Sequence, residues 1–181
     1  METITPVPCS PYAIQKLSAE HYMRVFYKLY GLETVSLRYF NVFGPHQDPY
    51  SEYAAVIPKF IRAILRGDRP IIFGDGEQSR DFTYIDNVVQ GNLLAVKAIK
   101  APGRVINLAC GRRLTINQLL AILKRIIVSD IEPLYADPRP GDVRHSHADI
   151  SLAREILDYS PKVQIEEGLR RTVEYFRNVF R

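Results

Sequence analysis

Ser10-Pro11-Tyr12-Ala13-Ile14-Gln15-Lys16 is the stretch on which the reading of this chain turns. Pro11 suits the first turn of a helix, where its missing N–H costs little. From there Leu17, Tyr22, Val25, Phe26 and Leu29 recur near helical spacing as far as Tyr30, and Gly31 stops the run. In such a helix Tyr12 and Lys16 stand on one side, a turn apart. A phenol titrates at about pH 10 and is a poor base at neutrality. A nearby ammonium stabilises the phenolate and makes the tyrosine usable as a general acid and base. Taken alone, the spacing is better read as an exposed tyrosine packed on a lysine stem.

Outward from this helix the chain alternates between strands and helices. Residues 34–39 read as a strand and 41–53 as a loop carrying Gly44-Pro45 and Asp48-Pro49. A helix over 55–65 stops at Arg66-Gly67-Asp68, and 71–73 form a short strand. Residues 81–84 are extended, and Asp86 suits the N-cap of a helix reaching 99. A strand over 105–108 precedes a helix capped by Thr115 and running over 116–128. A strand over 132–135 leads to a loop over 137–142. Asp149 or Ser151 then starts a helix through 157, and a last helix covers 166–177. The class is α/β. The sequence contains no G-x-G-x-x-G, the turn that binds pyrophosphate in doubly wound nucleotide folds. Gly74-Asp75-Gly76 lacks the third glycine and reads as a plain turn.

The composition bounds the function. With 181 residues, 46% hydrophobic and 24% charged, the chain can build a real core and has the balance of a soluble protein. No apolar run approaches the roughly 20 residues of a membrane helix, and Met1 to Pro8 show no secretory pattern. The net charge of +4 is mild and the basic residues are spread, so nucleic acid is not an expected partner. Arg170, Arg171, Arg177 and Arg181 read as a solvated helix face. Cys9 and Cys110 read as two free thiols, which fits a cytoplasmic protein. His145 and His147 lack a third partner, so no metal site is expected.

Four further blocks follow the opening stretch: Leu37-Arg-Tyr-Phe-Asn-Val-Phe-Gly-Pro45, Pro70-Ile-Ile-Phe-Gly-Asp-Gly-Glu-Gln-Ser-Arg-Asp-Phe82, Val105-Ile-Asn-Leu-Ala109 and Arg139-Pro-Gly-Asp-Val-Arg-His-Ser146. With Glu20 and Tyr22 they resemble, in order and over nearly the whole chain, the extended short-chain dehydrogenase/reductase family. The nearest subgroup is the UDP-hexose and UDP-N-acetylhexosamine 4-epimerases.

The resemblance implies the C-terminal part of such a fold, with the N-terminal dinucleotide-binding half missing. Residues 1–50 would be a remnant of the Rossmann domain with the Tyr/Lys helix. Residues 51–181 would be mainly the sugar-nucleotide-binding subdomain, with segments returning to the Rossmann sheet. It implies NAD as cofactor, a UDP-sugar as substrate and a homodimer formed through the Tyr/Lys helix. Tyr12 matches the general base, and Lys16 its partner, which also holds the nicotinamide ribose. Tyr39 and Phe40 match the segment beside the nicotinamide, and Asn41 a residue that hydrogen-bonds the sugar nucleotide. Arg80 and Arg139 match the arginines that clamp the diphosphate, with Arg144 a further candidate. A guanidinium fork suits phosphate oxygens, although Asp81, Asp137 and Asp142 lie close in sequence and would suit ordinary ion pairs. Val56, Lys59 and Phe60 match the helix that borders the nucleotide, and Phe73 a residue near the uracil. Ser146 matches a residue beside the sugar's C2 substituent, where a small side chain leaves room for an N-acetyl group.

The Ser/Thr that completes the family's catalytic group would lie before Tyr12. The chain alone is therefore expected to be inactive. A non-catalytic sugar-nucleotide-binding or dimerisation module is the competing reading, with Tyr22, Val25, Phe26 and Leu29 either an interface or ordinary core. A dehydratase or decarboxylase of the same family is the third. Ala13-Ile14-Gln15 does not look like the decarboxylase pattern.

Overall fold

Local chemistry sets the first helix, α1 (Pro11–Tyr30). The Ser10 side chain accepts the Ala13 N–H, Pro11 sits in the first turn, and Gly31 closes the helix with φ of 67°. The computed structural model describes residues 1–50, 55–139, 141 and 143–180. After α1 come β1 (Ser36–Tyr39), β2 (Val42–Phe43), α2 (Val56–Arg66), β3 (Ile71–Phe73), β4 (Ser79–Arg80) and β5 (Thr83–Tyr84). Then follow α3 (Ile85–Lys97), β6 (Val105–Leu108), β7 (Leu114–Thr115), α4 (Ile116–Ile127), β8 (Leu134–Ala136), α5 (Ser151–Leu157) and α6 (Ile165–Val179).

The architecture is α/β, with strands paired across long stretches of sequence. β1 runs parallel to β6, Ser36 opposite Val105 and Tyr39 opposite Leu108. β2 runs parallel to β5 and β3 to β8, while β4 and β7 are antiparallel. Two cores hold these pairs. In the first, α2, α4 and α6 bury stripes at helical spacing: Ile57, Phe60, Ile61 and Ile64 from α2, Leu119 and Leu123 from α4, and Leu169, Val173 and Phe176 from α6. Each such side chain contributes roughly 1.5–3 kcal/mol through burial. In the second, α3 and α5 cover β6 around Ile106, Leu108, Ala153 and Leu157. Gly91 of α3 lies against the Leu108 side chain, leaving no room for a Cβ.

The structure moves several boundaries read from the sequence. α3 begins at Ile85, with the extended Tyr84 as its N-cap; Asp86 lies inside the first turn, where its charge still complements the helix dipole. β8 starts two residues later than the expected strand. Pro133 cannot donate to a ladder, and the Arg69 guanidinium takes the Glu132 and Pro133 carbonyls. At the start of α5 the N-cap is Ile150, while Asp149 accepts the Ser151 N–H. Arg170 and Arg171 do face solvent, paired with Glu166 and with Glu167 and Asp86. Arg181, and the end of the 41–53 loop, lie outside the described residues.

None of the 20 residues of α1 is buried. Among the described residues, the following contacts tie it down. Arg38 donates from Nε and Nη2 to the Glu20 carboxylate, both at 2.8 Å. The Thr34 hydroxyl donates to the Met23 carbonyl at 2.8 Å. The Tyr27 ring covers Gly103 so closely that a Cβ there would strike it. Tyr22, Val25, Phe26 and Leu29 are all exposed, so this stripe is not core within the chain.

Candidate functional site

A sharp turn after β1 starts the site. Asn41 has φ of 36°, its Nδ2 donates to the Asp81 carbonyl at 3.0 Å, and its own carbonyl accepts the Thr83 N–H at 3.3 Å. These bonds lay β2 along β5 and put Asn41 on the wall of a cavity of about 240 Å³. Val56 and Phe60 line it from α2, Phe73 from β3, Arg80 from β4, and Arg139 from the segment after β8. The Arg139 guanidinium lies 3.8 Å from the centre of the Phe73 ring, a cation–π contact. Phe60 is both wall and core.

Two further hollows share Phe73 and Arg139 with this cavity, making three lobes of one groove. One, of about 570 Å³, adds Lys59, Arg62 and Arg69. The other, of about 540 Å³, adds Asp75, Tyr135 and Arg144. The groove is thus apolar at its centre and cationic along its sides, the chemistry of a site for a flat base carrying phosphate.

Ion pairing differs from the sequence expectation. Arg144 donates from both terminal nitrogens to Asp75, at 3.0 and 2.7 Å. Its guanidinium holds the Asp75 carboxyl below the usual carboxylate range, helped by the Glu77 N–H. The expected Asp142 lies outside the described residues. Arg80 donates to the Ser79 carbonyl at 2.9 Å and the Arg144 carbonyl at 3.4 Å. Asp81 is fully buried and accepts the Cys110 N–H at 3.0 Å and the Ala148 N–H at 3.4 Å. Burial pushes its pKa up, while those N–H donors pull it down. Asp81 therefore pins two loops behind the groove.

Residues 144–146 run beside β4. Ser79 N donates to the Arg144 carbonyl at 3.0 Å, Ser146 N to the Ser79 carbonyl at 2.9 Å, and Ser79 Oγ meets His145 Nδ1 at 2.9 Å. Ser146 is half-buried there and does not line the groove. Among the described residues no three His, Cys, Asp or Glu side chains come together as metal ligands.

Tyr12 and Lys16 stand on the exposed first turns of α1, with Lys16 Nζ 5.3 Å from the centre of the Tyr12 ring. The Tyr39 hydroxyl donates to Asn92 Oδ1 at 2.9 Å, and Phe40 packs against the second core. The structure therefore gathers Asn41, Val56, Phe60, Phe73, Arg80 and Arg139 in one cavity, with Lys59 and Arg144 in its side lobes. It does not bring Tyr12, Lys16, Tyr39, Phe40 or Ser146 to that lining. Sequence reasoning missed Gln78, whose Nε2 donates to the Phe73 carbonyl at 2.7 Å, and Arg62, which stacks on Tyr50. Arg62 stands three residues after Lys59 on α2, a helical spacing that could have found it.

A model of the NAD dependent epimerase/dehydratase family matches residues 1–109. This chain belongs to that family. The UDP-glucose 4-epimerase of Thermotoga maritima, solved with UDP-glucose, is 49% identical with a TM-score of 0.95, covering 99% of this chain and 57% of its own. The UDP-N-acetylglucosamine 4-epimerase of Methanobrevibacter ruminantium, in complex with UDP-N-acetylmuramic acid, is likewise 49% identical with a TM-score of 0.95, over 99% and 57% of the two chains. A UDP-glucuronate 4-epimerase of Thermodesulfobacterium geofontis is 41% identical over 93% of this chain and 50% of its own length. The chain spans about half the length of the curated relatives it matches. As in those relatives' structures the fold is α/β and Rossmann-like, here as a part of the whole.

The family's cofactor has a partial fit to this epimerase-family chain. Tyr12 and Lys16 present a phenol and an ammonium on the open side of α1, and Tyr39 is half-exposed at the end of β1. These groups fit the nicotinamide end of NAD. A glycine-rich cradle for its pyrophosphate is not within residues 1–181.

Proposed function

We propose that this chain is the sugar-nucleotide-binding portion of an NAD-dependent epimerase that inverts UDP-hexoses at C4. One observation carries the reading: Asn41, Phe73, Arg80 and Arg139, from four separate segments, line a single cavity. Uracil rests by Phe73 and the wall formed by Val56 and Phe60, with Lys59 along the same helix. The diphosphate meets Arg80 and Arg139, with Arg144 at the side. NAD, when bound at Tyr12, Lys16, Tyr39 and Phe40, supplies acceptance and return of hydride at C4. Tyr12 takes the proton of the C4 hydroxyl and gives it back, and the Lys16 charge stabilises the phenolate between those events. In the assembled enzyme the bare stripe of α1 meets a second copy, and the protein works in the cytoplasm.

Alone, the chain has half of this machinery. Holding hydroxyl, base and cofactor together is worth several kcal/mol or more, so the isolated chain binds without turning over. A purely binding role is the second reading, favoured by the separation of α1 from the groove lining. Calorimetric titration with UDP and UDP-glucose is the test. Saturable binding that Arg139→Ala weakens supports the proposal; no binding by the folded chain ends it.

A further inference from the structure

We infer that a hollow behind Phe82 is a second anion site, separate from the groove, that takes a small phosphate-bearing molecule. The inference stands apart from the epimerase reading. The hollow has a volume of about 220 Å³. Arg112, from the turn after β6, and Arg154, from α5, line it together with the Cys110 thiol and Ser160. Phe82 and Leu114 supply apolar wall. Phe82 also lines the central cavity of the groove, and Leu114 is the ladder partner of Arg80. The two hollows therefore share a wall but no arginine.

Charge, rigidity and size point to that ligand. Among the described residues no carboxylate lies within ion-pair distance of Arg112 or Arg154. The acids at the start of α6 are engaged elsewhere, Glu166 with Arg125 and Arg170, and Glu167 with Arg171. Glu155 adjoins Arg154 on α5, but consecutive helical residues do not face each other. A concave site lined by one sign of charge focuses its field, and a guanidinium fork matches phosphate oxygens. The backbone walls are set in advance. Cys110 N donates to Asp81 Oδ1 at 3.0 Å. The buried Asn87 accepts the Lys162 and Val163 N–H groups at 2.9 and 3.0 Å and donates to the Val163 carbonyl at 2.9 Å. Binding there orders little backbone. Pockets for drug-sized ligands run to about 300–1,000 Å³, so this one suits a phosphate or a short monoester and excludes a whole nucleotide.

The experiment titrates inorganic phosphate calorimetrically into the chain at constant ionic strength, with saturating UDP present to occupy the groove. Expected is one saturable site whose affinity falls about tenfold or more in Arg112→Ala and in Arg154→Ala, while both variants keep the parent's urea midpoint. Arg112→Lys keeps the charge and loses the fork, so its affinity should lie between parent and Arg112→Ala. In a Cys9→Ser background, phosphate should also slow alkylation of Cys110. That arm needs neither UDP nor an alanine variant, so it stands if UDP fails to bind or a variant fails to fold. A phosphate monoester that binds more tightly than the free ion makes the natural ligand organic; equal affinity makes it the ion itself. The inference is overturned if phosphate does not bind the UDP-saturated chain, if both alanine variants bind it as well as the parent, or if Cys110 alkylates equally fast with and without it.

Discussion

Arg139 holds its guanidinium over Phe73 and faces all three lobes of the groove. A charge-assisted contact to phosphate is worth about 1.5–3 kcal/mol. Arg139→Ala should therefore weaken UDP binding roughly 10- to 100-fold by calorimetry, with little change in melting temperature. A second residue-scale prediction concerns Cys110. Burial, and then the Asp81 charge, pushes its thiol from 9.0 up to about 11. Between those values the folded chain holds a proton that the unfolded chain has lost. This contribution to stability is thus full below the unfolded value and is lost as pH rises through the folded one. Urea midpoints should fall as pH rises from about 8 to 11, and Cys110→Ala should flatten that limb by on the order of 1–2 kcal/mol, allowing for solvent screening. Arg80, Arg139 and Phe73 stood out as candidates because each sits in an ordered block of motif, and all three line one cavity. The Arg144–Asp75 pair was not legible in the sequence, since it joins residues far apart in the chain and depends on how 144–146 runs beside β4.

The longer elements were readable because their cause is local. Thr115 and Gln118 form a reciprocal capping box at the start of α4. Thr115→Ala should cost about 1 kcal/mol in chemical denaturation without altering UDP affinity. The two-residue strands β2, β4, β5 and β7 were not readable as pairs. They exist because a partner strand is present, and they carry no periodicity of their own. Gly103 lies between these cases. Its φ of 77° favours glycine, and Tyr27 occupies the space a Cβ would need. Gly103→Ala should loosen α1, seen as faster hydrogen exchange across that helix while α4 keeps its protection.

At the scale of the molecule, two cores are closed, while α1 buries none of its own residues. Purified alone, the chain should bind a dye specific for exposed apolar surface through α1 and the end of α3, and added UDP should leave most of that signal in place. The α/β class was plain from alternating patterns, but which strands would be neighbours was not, because pairing is decided over distance. The β1–β6 pair carries a consequence for how the chain folds. Ser36 cannot meet Val105 until everything between them has been drawn in, and closing so long a loop is entropically costly unless the intervening chain is already compact. The core of α2, α4 and α6 likewise joins helices set far apart in the chain. The β1–β6 ladder therefore closes only after the chain between its strands has condensed, which places it among the later steps of folding.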